Sequence, residues 1–424
     1  MISYASTFGI LALGLVLNFI ITRIRFNRRY KLPNVVPGWP VIGNSLDMPF
    51  PPGMWLVEQA QKYGEIFTVN LGTKRIVFLN SSRVVEDLME KRAAIYSSRP
   101  DRPMLSDIMS GGYRIVMMGY TDKWRAQRKI MLNILNTTQA EAKFVPFQEL
   151  EAKQLVYEVL QNPQEFHRAG QRFSNSMILS VIFGRRAVPD DELLQFILGY
   201  NPVLGEVQMD PQKSPADNFS TLANLPKPLQ WWRLFGERFY QDHIKAFNKE
   251  YTNFLDEYRR GMVKPCYAVD LLESSKENKM TDEEILYTFT SLIEAGSDTT
   301  RVSILQIMAA AACYPAWVKT AQAALEEVYG SDPHSLPSLH DRRKLPYISA
   351  VVKEVLRWRP FLQMGVPHTL IQDDEYDGYK FPKGTEFTWN AYAITLSEKE
   401  YSNPFTFEPQ HFLNDDLNKP TKGH

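Results

Sequence analysis

From Thr281 to Cys313 the chain carries one long helical pattern that is weakened at a single place. Thr281 stands three residues before Glu284, the capping-box arrangement that opens a helix. Ile285, Phe289, Leu292 and Ile293 follow at helical spacing. Into this run falls Ala295-Gly296-Ser297-Asp298-Thr299-Thr300. A glycine in a helix interior costs about 1 kcal/mol against alanine. Thr299 is placed to bond back to the Ala295 carbonyl and bend the helix locally. A loosened turn with one acid and one hydroxyl can host a small polar ligand and its protons.

Helical patterns dominate from Ser82 onward. Two short strands are expected within 65–80, around Leu71-Gly72. A second strand group is expected at Thr369-Leu370-Ile371 and from Tyr379 to Phe387, around the turn Pro382-Lys383-Gly384. The proline-rich stretch Gly205 to Pro228 reads as an irregular surface segment between two helices. The expected fold is mainly α with small β-sheets drawn from distant parts of the chain.

Met1 to Thr22 contains no charged residue and is apolar for most of its length. A helix of about 20 such residues spans a bilayer's hydrocarbon core. Arg23, Arg25, Arg28, Arg29 and Lys31 follow at once, which holds that flank in the cytosol. The expected organisation is one N-terminal transmembrane anchor (1–22), a basic and proline-rich hinge (23–50) and a cytosolic catalytic domain (51–424). A cleaved signal peptide fits poorly, since no basic stretch precedes the apolar run. The 48 basic and 48 acidic residues cancel, which argues against nucleic acid as a partner. Two cysteines, Cys266 and Cys313, cannot build a disulfide framework, and no metal-type Cys/His spacing is present.

Other pairs carry chemistry by their spacing. Glu354 and Arg357 lie three apart on one helical face. If buried, such a pair must be matched geometrically, which a guanidinium does well. Trp124 and Arg128 are four apart, again on one face. A fixed cation beside an indole N–H is a reasonable seat for a carboxylate.

Taken in order, these features resemble the membrane-bound cytochrome P450 family. The hinge wording Pro37-Gly38-Trp39-Pro40-Val41-Ile42-Gly43-Asn44 is similar to that of microsomal members, and Lys353-Glu354-Val355-Leu356-Arg357-Trp358-Arg359-Pro360 to the family's ExxR helix. The resemblance implies a haem cofactor lying against Ala295 and Gly296, with Gly296 leaving room for oxygen. It implies that Asp298 and Thr299 relay protons, that Trp124, Arg128 and His368 face the haem propionates, and that Glu354 and Arg357 form a structural lock. The lock's third partner is normally an arginine. Here His411 stands in its place, within Pro409-Gln410-His411-Phe412, and would hold Glu354 less firmly.

The implied activity is insertion of one oxygen atom into a lipophilic small molecule. Electrons would come from NADPH through a membrane-bound NADPH–cytochrome P450 reductase at the endoplasmic reticulum. The Ser97-Ser98-Arg99-Pro100 neighbourhood and the ExxR region look similar to fungal members, many of which act in secondary metabolism. Expected substrate-lining stretches are Met104 to Met118, Leu204 to Leu225, Leu292 to Thr299 and Phe361 to Val366.

The family holds its iron through a cysteine thiolate in a glycine-rich loop. The sequence stops at His424 before any such loop, so the catalytic domain is expected to be incomplete, and neither cysteine has that setting. Cys313 is expected to be buried at the end of the long helix, facing away from any axial position. Cys266 is expected at the start of a short helix. As written, the chain is therefore expected to lack the metal ligand, to bind haem weakly and to be inactive. The alternatives are a shortened, catalytically dead pseudoenzyme and a membrane-anchored helical binding protein.

Overall fold

The computed structural model describes residues 21–415, except 22, 23, 27, 189, 190, 279 and 331–334. The expected anchor lies outside these residues, apart from Ile21. Among the described residues no single helix is long and apolar enough to cross a membrane.

The helices that position the site are α1 (Asp122–Ile134), α2 (Phe166–Phe183), α3 (Glu192–Met209), α4 (Arg233–Arg259), α5 (Asp282–Cys313) and α6 (Pro346–Trp358). The start of α5 is a complete capping box: Thr281 N–H donates to Glu284 Oε2 at 2.9 Å and Glu284 N–H to Thr281 Oγ1 at 3.3 Å. Behind it, Phe183, Phe247, Phe254, Phe289 and Ile293 build the main core, all nearly or fully buried. At roughly 25 cal/mol per Å² of apolar area, these large rings are what hold α2, α4 and α5 together.

Two small sheets flank the helices. Strands β1 (Ile66–Leu71), β2 (Lys74–Leu79), β3 (His368–Thr369) and β6 (Glu386–Trp389) form one sheet in the order β1-β2-β6-β3. β1 and β2 are the expected hairpin, while β2 pairs with β6 in parallel, Ile76 opposite Glu386. β4 (Asp374–Tyr376) and β5 (Tyr379–Phe381) form the other. The Tyr379–Phe387 stretch is thus not one unit. β5 turns back on β4 through Asp377-Gly378, both with positive φ, while the Pro382–Gly384 turn carries the chain across to the other sheet. There Gly384 N–H donates to the Leu370 carbonyl at 2.8 Å.

The proline-rich hinge lies along β1. Val36 N–H donates to Thr68 O at 2.9 Å, Thr68 N–H to Asn34 O at 2.8 Å and Asn44 N–H to Asn70 O at 2.6 Å. Val36 and Met48 are buried beneath it.

The 205–228 stretch differs from the irregular surface segment expected. Gly205 belongs to α3, and Ala216, Asp217 and Asn218 are buried. Asp217 reaches inward to accept the Met104 and Leu105 amides at 2.7 and 3.3 Å, and the Asn218 carbonyl accepts Thr73 N–H at 2.9 Å. The segment's polar residues are thus spent on satisfying neighbouring backbone. Burial pushes the Asp217 carboxyl up to about 6, against the pull of those amides and of Arg102.

A carboxyl whose pKa rises on folding adds stability below its unfolded pKa and loses it as the pH climbs through the folded one. Asp217→Asn imitates the protonated form at every pH. Relative to the parent, the variant should gain roughly 2–3 kcal/mol between pH 4 and pH 7.5. Urea unfolding of both proteins at the two pH values checks this, and a constant difference between them would refute it.

Candidate functional site

Helix α1 starts at Thr121, whose Oγ1 accepts the Trp124 amide at 3.2 Å. One turn on, the Arg128 guanidinium lies 5.2 Å from the Trp124 ring centre. Arg128 is exposed and Trp124 half-buried. Across from them, Arg99 donates to the carbonyls of Val366 and Pro367 at 2.7 and 3.0 Å. Burial pushes its guanidinium down to about 10.

His368, at the start of β3, sets Nδ1 3.0 Å from the Tyr96 carbonyl. Burial, helped by Arg99, lowers its pKa to about 4, so the ring is neutral at pH 7. The carbonyl fixes the proton on Nδ1 and leaves Nε2 as an acceptor. A carboxylate arriving there would favour a second proton on the ring.

Arg99, Trp124, Arg128 and His368 line one cleft of about 600 Å³, floored by Met131, Leu132 and Leu135. Trp124, Arg128 and His368 are thus brought together as the sequence proposes. The sequence alone gives Arg99 no role. Nothing local marks it, because its partners are backbone carbonyls more than 260 residues away.

Ala295, Gly296, Asp298 and Thr299 do not line that cleft. They form a turn of α5 on which Ala295 and Thr299 are exposed. Thr299 Oγ1 donates to the Ala295 carbonyl at 2.8 Å, the back-bond read from the sequence. Asp298 points toward α3: Oδ2 accepts Asn201 Nδ2 at 2.7 Å, and Oδ1 accepts Arg301 Nε and Nη2 at 3.1 and 2.9 Å. A Cβ on Gly296 would lie 2.8 Å from Ile178, so this glycine lets α2 approach closely. Ser174 of α2 donates to the Gly296 carbonyl at 2.9 Å.

The lock on α6 is fully buried. Arg357 Nε and Nη2 meet the Glu354 oxygens at 2.7 Å each, a two-pronged pair. Glu354 also accepts the Glu408 amide at 2.7 Å, and His411 Nδ1 stands 3.2 Å from Oε2. His411 Nε2 lies 2.8 Å from the Ser402 carbonyl, so the histidine occupies the third place of the lock.

Cys266 precedes a short helix and is buried in the α2–α4 core beside Gly184, where burial raises its thiol pKa. Cys313 is exposed, which corrects the expectation that it is buried. The last turn of α5 offers only Ala310 to the core, where its carbonyl accepts Trp317 Nε1 at 3.2 Å, and the turn beyond faces outward.

The donor set fits the carboxylate edge of a haem: two guanidinium groups, one of them held only by carbonyls, an indole N–H and an imidazole around one cleft. Neither cysteine lines that cleft, so among the described residues no thiolate stands ready for the iron.

The family model described as Cytochrome P450 matches residues 33–424. A cytochrome P450 monooxygenase of Clonostachys rogersoniana (verL) is 35% identical over 424 residues, covering 97% of this chain and 76% of that protein. Another, from Hypocrea virens (virE), is 34% identical over 413 residues, covering 96% and 74%. Among solved structures, a zebrafish cytochrome P450 determined with abiraterone superposes with a TM-score of 0.69 over 86% of this chain and 83% of that one. Its 23% identity makes this a likeness of fold.

Proposed function

The chain belongs to the cytochrome P450 family, and on that ground we propose that it is a haem-dependent monooxygenase of a lipophilic small molecule in fungal secondary metabolism. The observation that carries this reading is the cleft where Arg99, Trp124, Arg128 and His368 converge. Its fungal relatives support the metabolic class. The proposed setting is the endoplasmic reticulum membrane, with residues 1–22 as anchor and NADPH–cytochrome P450 reductase as electron donor.

Bound through a thiolate, haem supplies the iron chemistry that activates dioxygen. The chain's own residues do the rest. Arg99 and Arg128 would offset the two carboxylates of the haem edge, and Trp124 Nε1–H would donate to one of them. Asp298 would pass a proton to Thr299, its neighbour on the α5 turn, whose hydroxyl would hold it. In the described geometry both Asp298 oxygens are engaged, by Asn201 and Arg301, so delivery requires the carboxylate to exchange one of these partners. The apolar stretches around Met104–Met118 and Phe361–Val366 are the proposed walls for the substrate.

A second reading rests on the cysteines. With neither of them at the cleft, the 424-residue polypeptide by itself is a catalytically silent member of the family. A carbon-monoxide difference spectrum of this polypeptide, expressed with haem supplied, separates the two. A band characteristic of thiolate ligation supports the monooxygenase and rules out the silent form. Haem uptake without that band supports the silent form.

A further inference from the structure

Four elements meet at a buried charge pair next to the α5 turn. Arg114 comes from the segment before α1 and is 2% exposed, and Glu294, directly before Ala295, has a side chain 8% exposed. Arg114 Nη1 bonds the Glu294 carboxylate, Nη2 donates to Tyr200 Oη of α3 at 2.9 Å, and Nε donates to Ser110 Oγ at 3.0 Å. His243 of α4 is fully buried against the same carboxylate, Nδ1 3.4 Å from Oε1, with its ring centre 5.0 Å from those of Tyr200 and Tyr287. Burial and Arg114 hold this histidine neutral. Burial works against both charges: the Glu294 carboxylate more than restores that of Arg114, while burial still raises the Glu294 carboxyl against the pull of Arg114.

Stability alone does not account for such a pair. Withdrawing two charges from water is expensive, and apolar side chains of similar size often serve a core as well or better. His243 Nδ1 and Nε2, Glu294 Oε1 and Tyr287 Oη are moreover buried without a hydrogen-bond partner, a further cost. What the guanidinium offers is geometry: its planar fork of donors meets Glu294, Tyr200 and Ser110 at once from a single orientation.

Its location says what that geometry holds. Glu294 and Asp298 are one turn apart on α5, and consecutive α3 residues reach them, Tyr200 through Arg114 and Asn201 directly. Arg114 also lines a cleft of about 350 Å³ together with Arg99 and Met118, which face the larger cleft on their other side.

We propose that Arg114 is a positioning residue for the oxygen-side turn: through Glu294 it holds Ala295–Thr299 in register with the segment 103–118 and with α3. The link to oxygen chemistry rests on the function proposed above, but the positioning itself does not. Movement of the 103–118 segment would be transmitted to the turn through this fork.

The test is amide hydrogen exchange of the full chain, read at residues 296–300 and, as a control, in β1. Arg114→Lys keeps the charge and loses the fork. It should leave the melting temperature within a few degrees of the parent yet speed exchange at 296–300 by about tenfold or more, with β1 unchanged. The paired variant Arg114→Met/Glu294→Met removes both charges at similar volume. It should melt close to the parent or above it and still exchange fast at the turn.

Parental protection at 296–300 in Arg114→Lys would overturn the proposal. So would a paired variant that restores melting and protection together, since the pair would then be replaceable core. Neither readout uses haem, substrate or turnover, so a failure here is separate from a failure of the monooxygenase reading.

Discussion

Arg357→Leu should leave this chain without a cooperative fold. Every donor of that guanidinium is engaged in a place that water does not reach. Nε and Nη2 hold Glu354, Nη2 also donates to Thr406 O at 2.9 Å, and Nη1 donates to the carbonyls of Thr395 at 2.9 Å and Pro404 at 2.6 Å. Its charge sits 5.2 Å from the Tyr401 ring centre. Leucine would abandon a buried carboxylate, at about 3–5 kcal/mol. It would also strip three carbonyls of a partner, at roughly 1–3 kcal/mol each. A whole domain has only about 5–15 kcal/mol in hand. Soluble yield and near-ultraviolet circular dichroism measure the outcome. An Arg357→Leu protein with the parent's urea midpoint would show that the lock is dispensable.

The second large effect is expected at Gly43. Its φ is 60°, in the left-handed region, and a Cβ there would sit 2.3 Å from the Asn70 carbonyl oxygen. That oxygen already accepts the Asn44 amide at 2.6 Å and belongs to β1, so it cannot step aside. Overpacking costs about 1–3 kcal/mol, and the left-handed backbone adds about 1–2 kcal/mol for a residue with a Cβ. Gly261 is the matching control: its φ is 69°, but nothing lies within 4 Å of its missing Cβ. Gly43→Ala should therefore lower the urea midpoint well beyond Gly261→Ala. Equal losses would mean that the hinge does not dock on β1 in solution.

The parts of this molecule that the sequence disclosed are those whose partners are near in the chain. The capping box at Thr281, the Thr299 back-bond and the Glu354–Arg357 fork are each closed within four residues, so spacing alone reveals them. The β1–β2 hairpin belongs to the same class. So does the Asp377-Gly378 turn, a recognised hairpin signal whose reading would have separated β5 from β6.

Distant partners were hidden for the opposite reason. Arg99 is a site residue because Val366 and Pro367 hold it, and Asp217 is buried because the Met104 and Leu105 amides face it. Neither side chain looks unusual among its own neighbours. His368 is legible only through family wording, since a lone histidine before a strand carries no signal of the arginine beside it. Cys313 was misjudged because a small residue after a run of alanines looks like core, whereas the end of α5 has outrun the helices that would cover it.

Because β2 takes β6 as its parallel neighbour, a ribosome making this chain must pass residue 386 before the first sheet is complete. About 300 residues separate the two strands, so at about 5–20 residues per second the β2 edge waits roughly 15–60 s, its amides unpaired and open to other strands. Nascent chains of this protein thus keep an open strand edge from the synthesis of β2 until that of β6, and a holding chaperone would act at the β1–β2 hairpin.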